Sequence, residues 1–235
     1  MRYKLFILSL FVGSSFGFSQ TTSDYFKAAD AFFATYVSNG KVAYSKINDN
    51  PSTLEKLVTM AETISVSTND TKTYQAFWIN AYNISVIKGI IDNYPIKSPL
   101  DKSGFFDKTT YKIAGESITL NDIENKKLRA QFSDARFHFV LVCGANGCPP
   151  IINKAYLPDT LDAQLQKQTE LALNNSNFIK LKKNKVELSE IFKWYQEDFI
   201  KNGNEIDYIN RFRTEKIPAD TKITYYAYNW NLNKQ

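Results

Sequence analysis

An α+β fold, a single domain in which a central enclosed helix packs against a mainly antiparallel sheet, is predicted by three features of this chain. The segment from Thr73 to Asn93 is apolar on nearly every face, which at that length marks a helix surrounded by the rest of the domain. Alternating segments flank Gly115-Glu116 and Asn184, the pattern of hairpins. Helical and strand patterns are mixed with no regular βαβ alternation, which argues against a doubly wound parallel sheet. A chain of 235 residues, 43% hydrophobic and 14% aromatic, can bury a substantial core, and its length suits one domain.

The first residues open with Arg2 and Lys4, run apolar from Leu5 to Val12, and end in small and polar residues around Ser15, Gly17 and Ser19. The apolar run is far short of the roughly 20 residues needed to cross a bilayer. Residues 1–19 therefore read as a secretory signal peptide and 20–235 as one globular domain, secreted or periplasmic, with no integral membrane segment. Phe26, Ala29, Phe33 and Tyr36 follow Ser23 at helical spacing and give a first helix ending near Asn39-Gly40. Val42 to Ile47 reads as extended. Pro51 and Ser52 start the next helix, with Glu55 placed as in a capping box. The enclosed helix follows and stops before Pro95.

Tyr111 and Ile113, then Ile118 and Leu120, form the first hairpin. A helix runs from Asn121 to about Phe132. Arg136 to Cys143 alternates and is rich in aromatic and β-branched residues, the clearest strand pattern in the chain. Beyond it come a helix from about Thr160 to Leu173, a hairpin near Asn184, a helix from Ser189 to Ile200, a shorter one from Ile206 to Phe212, and a last strand from Lys222 to Tyr228.

Without Arg2 and Lys4 the formal net charge falls from +5 to about +3. That is too small and too dispersed for nucleic acid, which needs a clustered basic face. The densest basic run, Lys180 to Lys185, reads as a solvated hairpin tip. One histidine and nine glycines, none of them spaced GxGxxG, leave little basis for Ser-His-Asp or phosphate-loop chemistry.

Thiol and imidazole chemistry is confined to His138–Cys148 (HFVLVCGANGC), which holds the single histidine and both cysteines. Gly-Ala-Asn-Gly between Cys143 and Cys148 has tight-turn composition and can fold the sulfurs together as a disulfide in an oxidising compartment. Alternatively Cys148, ahead of Pro149, sits at the start of a helical turn where its thiol pKa falls, and either cysteine serves as a nucleophile with His138 as base. A regular strand opposes that dyad, because it puts His138 roughly 16 Å from Cys143 and on the other face. Two sulfurs and one imidazole fall short of the usual four zinc ligands, so no metal and no cofactor are expected.

Asn80 and Asn83 share one side of the enclosed helix, where they orient a ligand or tie loops to it. Glu124 is a candidate acid or base, yet Asn121-x-x-Glu124 also matches a capping box. Trp78, Trp194 and Tyr195 read as core aromatics.

FWINAYN (77–83), LNDIENKKLR (120–129), RFHFVLVCGANGCPP (136–150) and YNWNLN (228–233) occur in the order found in the domain of unknown function 547 family, which the chain resembles from about Asn39 to its C-terminus. The resemblance implies an envelope protein and supplies no settled activity. It places Asn80, Asn83, Glu124, His138, Cys143, Cys148 and Pro149 at the family's characteristic positions. The family's closing motif carries aspartate where this chain has Asn229.

The resulting expectation is a pocket lined by Asn80, Asn83, Glu124, Arg136 and His138 beside the cysteine loop, binding a small polar or peptidic envelope component. The alternatives are a thiol-dependent hydrolase or acyltransferase using Cys143 or Cys148 with His138, and a structural interaction module with no open cleft.

Overall fold

The computed structural model describes residues 21–235, so the segment 1–19, expected from the sequence to be a signal peptide, lies outside the described residues. The fold is α+β, with short sheets set among helices. Thr21 caps α1 (Thr22–Tyr36), its side chain accepting from the Asp24 amide at 3.2 Å. A minimal hairpin follows, β1 (Val37–Ser38) and β2 (Lys41–Val42). The extended segment expected over Val42–Ile47 is instead mostly helix, α2 (Tyr44–Asp49), because Tyr44 and Ile47 lie three apart and both enter the core. Helix α3 spans Ser52–Thr63 with Pro51 ahead of it; Ser52 is inside the helix and donates to Asn50, so the Ser52–Glu55 capping box does not form.

Helix α4 (Thr71–Ile91) is capped by Asp70, which accepts from the Thr73 amide at 3.2 Å. It packs chiefly against α1, α2 and α3 and against the helical segment 120–129. The strand side of its surroundings is small, with Tyr111 and Phe105 meeting it at Gly89, where a Cβ would collide with both rings. The first expected hairpin forms as β3 (Thr110–Ile113) and β4 (Glu116–Thr119). The second forms as β5 (Lys180–Lys182) and β6 (Lys185–Ser189). Strand β7 (Lys222–Tyr226) then joins β6 in parallel, after a crossover through short helices.

Between β4 and β5 the chain forms α5 (Leu120–Asp122), a π-helical stretch over Ile123–Arg129, α6 (Ala130–Phe132), and α7 (Leu161–Asn174). The crossover holds α8 (Glu190–Trp194), α9 (Gln196–Phe199) and α10 (Glu205–Phe212). The continuous helix expected over Ser189–Ile200 breaks at Tyr195, whose φ and ψ of −116° and 31° are not helical.

Two hydrophobic clusters result. One gathers α1 to α4, the first hairpin and the segment to Leu165; the other gathers Phe139, Leu173, Phe178, the β5–β7 sheet, α8 to α10 and Tyr228. Cys148 packs against both. Among the described residues, no helix is long and apolar enough to cross a membrane.

Candidate functional site

The largest departure from the sequence pattern falls on the motif that carries the chemistry. Residues Ala135–Phe139 form a 3₁₀ turn capped by Asp134, not the start of a strand. The residues after it, to Cys143, run on outside any named strand. Their polar groups are satisfied by a side chain instead: Asn83 Nδ2 donates to the Val140 carbonyl at 2.9 Å and its Oδ1 accepts from the Val142 amide at 2.8 Å. Alternating residue types read as a half-buried strand, but Phe137 to Val142 are all buried, and Asn83 takes the place of a neighbouring strand. Asn80 treats the 155–157 segment in the same way, donating to the Tyr156 carbonyl at 2.7 Å and accepting from the Tyr156 amide at 2.9 Å.

The 3₁₀ turn removes the strand geometry that set His138 far from the cysteines. His138 is 5% exposed, and its Nε2 lies 2.8 Å from Asp198 Oδ2. Arg129 Nε donates to the same carboxylate oxygen at 2.6 Å, and Lys201 Nζ lies 3.4 Å from the other. Burial alone would raise the Asp198 pKa, but the His138 and Arg129 hydrogen bonds outweigh it and hold the carboxyl well below the usual carboxylate range. Tyr195, turned inward by the break between α8 and α9, lies against the imidazole with ring centroids 4.1 Å apart.

Glu124 approaches His138 from the opposite side, Oε1 to Nδ1 at 3.8 Å. The capping box expected for it does not form, because Thr119 caps the helix and accepts from the Asp122 amide at 3.1 Å. Glu124 sits instead in the π-helical stretch, a local widening frequent at functional sites. Burial and then the Glu124 charge push Tyr82 far above the ordinary tyrosine value; the same two causes act in the same order on Tyr195.

The Cys143–Cys148 turn closes the arrangement. The sulfurs lie at disulfide distance, with Cα atoms 6.4 Å apart. The closing segment of the chain lies across this turn: Asn146 and Gly147 amides donate to the Asn231 and Asn229 carbonyls at 2.7 and 2.8 Å, and the Asn233 amide donates to the Gly144 carbonyl at 3.0 Å. Tyr228 is thereby held with its hydroxyl 2.9 Å from the Cys148 sulfur and 3.1 Å from that of Cys143.

These groups surround a cavity of about 260 Å³ at the seam of the two hydrophobic clusters. Glu124, His138 and the two cysteines share it with Asn121, Tyr82 and Phe106 on one side and Trp194, Tyr195, Tyr228 and Trp230 on the other. Residues 66–171 match the model of a family described as "Protein of unknown function, DUF547".

Over that span the chain is similar to the DUF547 family.

No curated protein and no solved structure matches it. The DUF547 match contains Glu124, His138 and both cysteines, whereas Trp194, Tyr195, Asp198, Tyr228 and Trp230 follow it in the chain. One wall of the cavity and the partner of the histidine are therefore supplied from outside the matched span.

Of the residues singled out in the sequence, Glu124, His138, Cys143 and Cys148 meet at the cavity; Asn80, Asn83 and Arg136 do not line it. Both asparagines brace loops. Arg136 is paired with Asp134 and, at 2.9 Å, with Asp162. Asn229 accepts from the Asn231 amide at 3.1 Å, a turn-forming bond that aspartate makes equally well. Trp78 is core, but Trp194 and Tyr195 line the cavity. Asp198 carries no signal in the sequence: it lies sixty residues from His138, and nothing local marks it as the partner. Among the described residues, no group of three or more His, Cys, Asp or Glu is arranged to hold a metal ion.

Proposed function

We propose that this protein, similar to the DUF547 family over residues 66–171, is a secreted or periplasmic envelope protein that binds a small polar or peptidic ligand in the cavity beside the Cys143–Cys148 turn. The observation that carries the reading is the convergence of Glu124 and His138 on a cavity whose walls are otherwise largely aromatic. Apolar walls with a few converging polar groups are the usual form of a small-molecule site. Asp198, fixed by Arg129, holds the imidazole through Nε2 and leaves Nδ1 on the Glu124 side. A ligand there meets an oriented ring nitrogen, a carboxylate and tyrosine hydroxyls. Pairing of the sulfurs favours binding over thiol chemistry, since a bonded sulfur is not a resting nucleophile.

Alkylation of the folded mature protein, followed by mass spectrometry, tests this reading. Labelling of neither cysteine before reduction and of both after it supports a binding protein. N-terminal sequencing of the exported protein tests the location, and the expected start follows Gly17 or Ser19. One observation favours the thiol hydrolase or acyltransferase as a second reading: His138 and both sulfurs line the same cavity. That reading expects rapid labelling of one cysteine below pH 7, lost in His138→Ala.

A further inference from the structure

The charges around the cavity constrain what can enter it. The basic residues of the π-helical stretch that carries Glu124 are Lys126, Lys127 and Arg129, and each is engaged elsewhere. Arg129 serves Asp198 at 2.6 Å and Glu197 at 3.1 Å while its guanidinium covers the Tyr195 ring. Lys127 pairs with Glu116 and lies over Trp78, and Lys126 pairs with Asp122 at 3.0 Å. No lysine or arginine is among the lining residues. Glu124, 9% exposed, has His138 Nδ1 at 3.8 Å as its ion-pair neighbour, and that ring is already bonded to Asp198. A carboxylate this buried is stabilised by a cation, and none of the described lysines or arginines pairs with it within 4.0 Å.

The walls favour the same charge. Trp194, Tyr228 and Trp230 form a continuous array, with centroid separations of 4.9, 4.8 and 5.9 Å, and Phe106 extends it at 6.2 Å from Trp230. Trp194 remains 45% exposed at its edge. Aromatic faces are electronegative and attract cations, Trp most strongly, while an anion here would face both the rings and Glu124. The volume admits a small head group or the end of a side chain, not a folded partner.

We propose that the cavity binds an alkylammonium group, caged by Trp194, Tyr228 and Trp230 with Glu124 as its counter-ion. This rests on the reading of the cavity as a ligand site. The ammonium comes either from a free amine or from a lysine side chain of a peptide.

The test titrates unreduced, full-length mature protein, following tryptophan fluorescence and heat. Choline is compared with its uncharged isostere dimethylbutanol, and acetyl-lysine amide with acetyl-norleucine amide; acetyl-glutamate amide and neutral disaccharides complete the panel. The expected result is that at least one cation binds about tenfold or more tightly than its isostere. Which cation does so identifies the source. Glu124→Gln should reduce that preference about tenfold, and Trp194→Ala, at the exposed edge, gives a second variant for which folding is not at issue. Equal binding of cation and isostere, or tighter binding of the glutamate or disaccharide probes, overturns the ammonium assignment and leaves a small-ligand site standing. No binding by any probe at millimolar concentration overturns both.

Discussion

A single carboxamide can do the work of a missing strand. Asn83 bonds both the Val140 carbonyl and the Val142 amide, so its loss strands two buried backbone groups. Asn83→Ala should therefore destabilise the protein by about 2–4 kcal/mol, read from urea unfolding followed by circular dichroism. Asp198 gives a pH signature. Its folded pKa lies below the unfolded value of about 3.9, so its contribution is present above that value and is lost as pH falls from there towards the folded pKa. The melting temperature of the native protein should fall with pH below about 4, and the difference between native protein and Asp198→Asn should shrink over the same window, as scanning calorimetry between neutral and acid pH would record. Glu124 illustrates how a local pattern misleads at this scale. Asn121-x-x-Glu124 has capping-box spacing, but Thr119 begins the helix earlier and frees Glu124 for the cavity.

Between Cys143 and Cys148 the turn depends on its glycines. Gly144 has φ +80°, and a Cβ there would lie 2.6 Å from Ile90 and 3.1 Å from Val86. Gly144→Ala combines backbone strain with overpacking and should cost about 1–3 kcal/mol in thermal or urea unfolding. Gly147 lies against the Tyr228 ring, where an added Cβ would come within 2.8 Å of three ring atoms. Gly147→Ala should displace Tyr228 from the sulfurs, and the expected reading is a changed tryptophan emission with about tenfold weaker ligand binding where Tyr228 forms a wall. Helical spacing in α1, the breaker ahead of α3, the long apolar run of α4 and the two hairpins were legible in the sequence, because each is a local pattern of residues. The 3₁₀ turn at Ala135–Phe139 was not, since the alternating residue types there suggest a half-buried strand, whereas packing against α7 and the Asn83 hydrogen bonds bury Phe137 to Val142 continuously.

At the scale of the whole molecule, the cavity lies where two hydrophobic clusters meet, and the end of the chain ties them together. The Leu232 amide donates to the Lys97 carbonyl at 2.9 Å, and the Val42 amide to the Asn233 carbonyl at 2.9 Å, while Tyr44 donates to Asn233 Oδ1 at 2.8 Å. Deleting residues 228–235 removes these bonds together with the Tyr228 contact. The truncated protein is expected to keep its far-UV circular dichroism, lose near-UV signal and bind a hydrophobic dye, the behaviour of a chain with loosened tertiary packing. By itself the sequence determined the α+β class, the order of most elements, the DUF547 motifs and the confinement of thiol and imidazole chemistry to 138–148, because composition and short periods record local burial. Only the tertiary structure brought Asp198 to His138, set Glu124 against the same imidazole, and closed the cavity with Trp194, Tyr195, Tyr228 and Trp230. Those contacts join residues far apart in the chain, and neither the spacing nor the type of either partner specifies the other until the two clusters pack.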